Sequence, residues 1–79
     1  MNITVEPRSY LTDFLKDSPK SNIFNIKLEE NAGIPDILKI IGIPQEKIHL
    51  VLVNGKVSCL DSSLKDGDKV ILYPHLMGG

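Results

Sequence analysis

The sequence has no tryptophan, one cysteine and two histidines in 79 residues. A lone Cys59 cannot close an internal disulfide, so stability must come from an apolar core, and a reducing, cytoplasmic setting is expected. There is no Cys-x-x-Cys or His-x-x-x-His pair, and no metal site is expected. No apolar run approaches the roughly 20 residues of a membrane span, and Met1-Asn2-Ile3-Thr4-Val5-Glu6-Pro7 lacks the basic-then-apolar layout of a secretion signal. Excess charge is lacking too: nine Lys and Arg against ten Asp and Glu leave a net −1. That balance argues against nucleic acid or a membrane as partner, since both call for a clustered basic surface. What is present is 42% hydrophobic and 24% charged, the makeup of a single small domain over residues 1–79, with a flexible tail over 75–79.

Hydrophobic period sets out the elements. Ile3 and Val5 alternate with Thr4 and Glu6, a first strand ended at Pro7-Arg8. Between Ser9 and Ser21, Tyr10, Leu11, Phe14 and Leu15 have helical spacing and Asp17-Ser18-Pro19 is turn chemistry, so a single helical turn or ordered loop is expected. Phe24, Ile26 and Leu28 alternate with polar residues as a second strand. Ile34, Ile37, Leu38 and Ile41 fall at i, i+3, i+4 and i+7, one apolar stripe of a helix. Gly33 opens that helix, Pro35 is tolerated in its first turn, Asp36 suits its dipole, and Gly42 with Pro44 ends it. Pro44 to Lys47 adds a short helical turn. Ile48 to Val53 is a third strand, and Asn54-Gly55 is the type I′ hairpin signal leading into Lys56 to Cys59. Asp66-Gly67-Asp68 is a tight turn before a last strand, Val70 to Tyr73, stopped by Pro74. The order is ββαβββ, an α+β mixed sheet with one main helix.

One helix covers one face of a sheet, yet both faces of the last two long strands read as apolar. Ile48, Leu50 and Leu52 alternate with Val51 and Val53, and Val70 and Leu72 with Ile71 and Tyr73. The surplus is read as a docking surface, with Val51, Val53, Ile71 and Tyr73 among its residues. The competing reading is that the segment from Ser9 to Ser21 folds over it.

The C-terminus carries the functional signal. At average glycine usage a terminal Gly-Gly arises in roughly 0.5% of chains, so Gly78-Gly79 invites a chemical explanation. Without Cβ atoms the last two peptides can lie extended in a narrow channel, and an attacking group meets the terminal carboxylate unhindered. His75 to Gly79 span at most roughly 17 Å, enough to enter a partner's buried site while the body stays outside. That arrangement suits a protein carried through reactions as a substrate.

The order of elements, the run Val51-Leu52-Val53-Asn54-Gly55-Lys56, the loop Leu64-Lys65-Asp66-Gly67-Asp68-Lys69-Val70, Tyr73-Pro74 and the final Gly-Gly together resemble the ubiquitin-like sulfur carriers. That family includes the molybdopterin synthase small subunit and the thiamine-biosynthesis carrier. The resemblance is clearest from Ala32 to Gly79 and weak before Phe24. It implies a β-grasp fold and a non-enzyme role as carrier or co-substrate. By the resemblance, an ATP-dependent adenylating enzyme using ATP-Mg activates the Gly79 carboxylate, and a persulfide donor converts it to a thiocarboxylate. A sulfur-accepting synthase large subunit, or its equivalent, then receives the sulfur. No cofactor is held permanently. Gly79 carries the sulfur, Gly78 permits threading, Pro74 begins the tail, and His75, Leu76 and Met77 with Tyr73 meet the partner. His75 stands where a second proline is common, and bulky Met77 where a small residue is usual. The Leu-x-Asp-Gly-Asp loop and the insertion from Ser9 to Ser21 favour the molybdopterin type over the thiamine type.

Rival readings use the scarce reactive side chains. A Cys59 nucleophile needs an adjacent base, which nothing in the sequence supplies, so Cys59 is read as a small packed hydrophobe. His49 is read as a surface or interface residue rather than a metal ligand, and His75 as exposed. Asp66-Gly67-Asp68 lacks the spaced oxygens of a calcium loop. A ubiquitin-like interaction module with an incidental Gly-Gly, and a modifier conjugated through Gly79 to lysines, remain as alternatives.

Overall fold

The computed structural model describes residues 1–8 and 23–75. Five strands and one helix follow in order: β1 (Asn2–Pro7), β2 (Phe24–Lys27), α1 (Ile34–Ile41), β3 (Ile48–Val53), β4 (Lys56–Ser58) and β5 (Lys69–Pro74), with a 3₁₀ turn at Gln45–Lys47 before β3. The elements expected outside the segment from Ser9 to Ser21 are present, within a residue or two at their ends. The segment from Ser9 to Ser21 lies outside the described residues. Among the described residues, no helix is long and apolar enough to cross a membrane.

The sheet order is β2-β1-β5-β3-β4. β1 and β5 run parallel at its centre, with Val5 beside Val70 and Pro7 beside Leu72, while every other pair is antiparallel. This is the β-grasp arrangement: a mixed sheet holding one helix against one face.

The helix is eight residues long, too short to persist alone, and its stability comes from the stripe it buries. Ile34, Ile37, Leu38 and Ile41 all lie in the core, and burying each is worth about 1.5–3 kcal/mol relative to exposure. They meet Ile3, Val5, Ile26, Val51, Val70 and Leu72 from the inner face of the sheet. At its start the Gly33 N–H donates to the Asp36 carboxylate at 2.9 Å, half of a capping box, since glycine has no side chain to reciprocate. At its end Gly42 takes φ +85°, and the N–H groups of Gly42 and Ile43 both reach the Leu38 carbonyl. Left-handed backbone there turns Ile43 back into the core, where it is 3% exposed.

Proline inside the sheet needs an account. The N–H groups of Thr4 and Arg8 donate to the carbonyls of Asp68, just before β5, and of Leu72 within it, so by alternation the Pro7 nitrogen faces the β2 side. Pairing with β2 stops at Val5, so the missing N–H removes no ladder bond.

The loop before β5 ties three strands together. The Asn2 N–H donates to Asp66 Oδ1, and the Gly67 N–H donates to the Asn2 carbonyl at 2.8 Å. Asp68 accepts from the Lys65 N–H at 2.7 Å and from Asn54 Nδ2 at 2.8 Å. Asn54 Oδ1 accepts in turn from the Lys69 N–H at 3.0 Å. Asn54 and Gly55, at φ +53° and +83°, make the type I′ turn that the dipeptide announces, and the Asn54 side chain then clasps the start of β5. Removing the Asp68 carboxylate deletes two of these bonds, each worth about 0.5–1.5 kcal/mol net. Asp68→Ala is accordingly expected to lower unfolding free energy by about 1–3 kcal/mol in urea titration, with unchanged m-value.

Candidate functional site

The tail predicted to carry function is attached to β5, the strand paired on both sides at the centre of the sheet. Its last residue, Pro74, pairs with Ile48 and is buried, so it closes the strand instead of beginning the tail as the resemblance implied. His75 follows and is exposed. Leu76, Met77, Gly78 and Gly79 lie outside the described residues. The last described strand is thus anchored by β1 on one flank and β3 on the other.

The face of the sheet opposite α1 was expected to be apolar, and its composition follows from register. Leu52 stands opposite both Val57 and Ile71, and Ile71 is beside Glu6. One row therefore runs Val57, Leu52, Ile71, Glu6 across four strands. Leu50 opposite Tyr73 forms a second row, nearer the end of β5. Leu50, Leu52, Ile71 and Tyr73 are half-buried, and Val57 is 73% exposed. Glu6 closes the row as a nearly buried carboxylate, ion-paired to Arg8 and, at 4.0 Å, to Lys69.

Two of the residues expected on that surface are elsewhere. Val51 is 3% exposed in the core and Val53 packs against the core from the inner face. The correction has a backbone cause. The pairing of β3 with β5 slips between Ile48 and Leu50, so two steps along β3 match one along β5 and His49 is the extra residue. Ile48 consequently sits with Val51 and Val53 against the core, not with Leu50 and Leu52 as strict alternation had it. The partner-facing hydrophobes of β3 are Leu50 and Leu52. A bulge leaves no mark in a sequence of alternating apolar residues, although Ile48-His49 at a strand entrance is where one could be sought.

The same bulge produces a feature that sequence spacing could not show. His49 and His75, 26 positions apart, have ring centroids 5.0 Å apart and tilted by 52°. Cys59, expected to be a packed hydrophobe, is exposed, with its N–H bonded to Ser62 Oγ. Among the described residues no cluster of three or more His, Cys, Asp or Glu is set to hold a metal ion. A cleft of about 340 Å³ opens between the start of α1 and the loop at 60–64, lined by Asp36, Asp61 and Ser62 among others. Its Asp36 is already engaged with Gly33.

Comparison with known proteins adds to this geometry. The family model described as "Mut7-C ubiquitin" matches residues 1–77. Among solved structures, small archaeal modifier protein 1 of Haloferax volcanii superposes with TM-score 0.69 at 18% identity, over 92% of this chain and 95% of that one. Urm1 from Trypanosoma brucei gives 0.70 at 18%, over 99% and 95%. One chain of a protein–protein complex of subunit 1 and 2 of molybdopterin-converting factor from Helicobacter pylori gives 0.63 at 24%, over 100% of this chain and 100% of that one. At these identities the likeness is one of fold.

The two faces of the sheet are expected to respond differently to truncation. Val51→Ala opens a core cavity and should cost about 1–3 kcal/mol, whereas Val57→Ala on the outer face should stay within about 0.5 kcal/mol. Denaturant unfolding of the two variants checks this assignment of faces.

Proposed function

This chain belongs to the Mut7-C ubiquitin family, and from that premise we propose that it is a ubiquitin-like sulfur carrier whose reactive atom is the Gly79 carboxyl carbon. The observation that carries the reading is the placement of β5. The strand that leads to Gly78-Gly79 is held on both sides, ends in a buried proline, and borders an outer face bearing Leu50, Leu52, Ile71 and Tyr73. A rigid handle beside an extended glycine tip is what a partner needs in order to grip the body and admit the end.

A carboxylate is a poor electrophile, so the cycle starts on a partner. An ATP-dependent adenylating enzyme lets a Gly79 carboxylate oxygen attack the α-phosphorus of ATP-Mg, and pyrophosphate leaves. The terminal sulfur of a persulfide then attacks the carbonyl carbon and AMP leaves, giving an acyl disulfide. A second thiol cleaves its S–S bond, supplying two electrons, and the thiocarboxylate is released. In the acceptor enzyme the thiocarboxylate sulfur bonds to the precursor, water attacks the Gly79 carbonyl carbon, the C–S bond breaks, and the carboxylate is restored. In this cycle the chain contributes no acid, base or metal. Its own residues bind and orient: the outer face docks, Pro74 fixes the exit, and the glycines admit close backbone approach.

The acceptor of choice is a synthase large subunit in molybdenum cofactor synthesis. The Helicobacter pylori relative is known in complex as subunits 1 and 2 of a molybdopterin-converting factor, and the Leu64 to Val70 loop favours the same type. A thiamine-type acceptor is the alternative within the carrier class. Conjugation to lysines is a second reading, favoured by the fold shared with an archaeal modifier protein, and it uses the same activation step.

Incubation with ATP, an adenylating enzyme and a persulfide donor is expected to replace one terminal oxygen by sulfur in the intact mass. A variant lacking Gly78 and Gly79, or one extended by a residue after Gly79, should fold normally and remain unmodified. An unchanged wild-type mass with every adenylating enzyme of this class, or full modification of the clipped chain, would overturn the proposal. Adducts on target lysines would favour the modifier reading. Leu52→Asp should leave the fold intact and weaken activation, read as a raised KM for the carrier.

A further inference from the structure

We infer that His49 and His75 form a binding site for a divalent transition-metal ion, two imidazoles on one cation, at the point where the chain leaves the sheet. The inference stands on geometry and does not depend on the carrier reading.

The distance fits. With a metal–nitrogen bond of about 2.0–2.1 Å and a ring nitrogen about 1.1 Å from its centroid, each centroid lies about 3.2 Å from a bound ion. Two such rings are then about 5.2 Å apart at a tetrahedral angle and about 4.5 Å apart at a right angle. The observed separation of 5.0 Å falls between these. The rings are tilted at 52° instead of stacked, so their edges can converge on one point.

The backbone holds the two imidazoles in place. Ile48 is registered opposite Pro74 and Leu50 opposite Tyr73, so the ladder flanks His49 on both sides while the bulge turns it out of regular alternation. His75 follows directly on the buried Pro74. Both side chains are exposed, so a hydrated ion can reach them without opening the fold. Among the described residues no third His, Cys, Asp or Glu completes the set. The remaining coordination positions are therefore open to water or to a donor atom of another molecule. Imidazole donors and an open site select borderline cations, in the order Cu²⁺ above Ni²⁺ and Zn²⁺, over Mg²⁺ or Ca²⁺. An ion held this way would bridge β3 to the residue after β5 and pin the root of the tail.

The test is titration of the full chain with Cu²⁺, Ni²⁺, Zn²⁺ and Mg²⁺, each alone, followed by calorimetry and by amide NMR. Binding of one equivalent is expected for the first three and none for Mg²⁺, with Ni²⁺ and Cu²⁺ broadening centred on His49 and His75. His49→Ala and His75→Ala should each weaken Ni²⁺ binding roughly tenfold or more, since the second ring acts as a pre-positioned ligand. The Gln variants should do the same while keeping the wild-type unfolding curve, which separates loss of a ligand from loss of fold. Ni²⁺ affinity left unchanged by either single substitution, broadening centred elsewhere, or no binding of Ni²⁺ and Cu²⁺ would overturn the inference.

Discussion

The parallel pairing of β1 with β5 is the contact on which the other features rest. It joins strands more than sixty positions apart, and it brings Ile3, Val5, Val70 and Leu72 into the single plane that α1 covers. Parallel ladders are slightly weaker per residue than antiparallel ones and sit best in a buried position. Here the pair is flanked by β2 and β3 and capped by the helix. Its register is fixed at one end by the Asn2, Asp66 and Gly67 bonds and by the Asn54–Asp68 clasp. The opposite end, at Pro74, is where the chain is released. One loop therefore sets where the far end of the strand comes out.

A single extra residue in β3 divides the molecule's hydrophobic surface into two uses. Before the bulge Ile48 serves the core; after it Leu50 and Leu52 face outward while Val51 and Val53 face α1. Regular alternation through His49 would have put Ile48 on the same face as Leu50. The bulge keeps Ile48 inside and leaves His49 beside His75. Packing and the character of the exit point are thus products of the same local irregularity.

Much of this was legible from residue order. The α1 stripe, Gly42, Asn54-Gly55 and Asp66-Gly67-Asp68 each obey a local rule, because helix period and positive φ are fixed by near neighbours. The surplus of apolar positions on β3 and β5 announced an outer apolar surface. Which residues made it up depended on register, and register is set by a partner strand about twenty positions away; hence Val51 and Val53 were assigned to the wrong side. Cys59 was misread for a related reason. A small residue after a short edge strand has nothing to pack beneath unless the loop folds under, and here the loop holds it in the open. The proximity of His49 and His75 could not be inferred at all, since it arises from a slip in a ladder and not from any spacing.

The central strand is also the last of the five in chain order. During synthesis the strands of both halves, β1 with β2 and β3 with β4, emerge before β5, and the halves cannot be joined through the centre of the sheet until that strand arrives. Closing so wide a loop is slow relative to local turns. Until it happens, β1 and β3 offer unpaired backbone to any neighbouring chain, which is the setting for misassembly between nascent copies. Once it happens, the inner flanks of β1 and β3 are both covered in one event, by the strand that ends at Pro74.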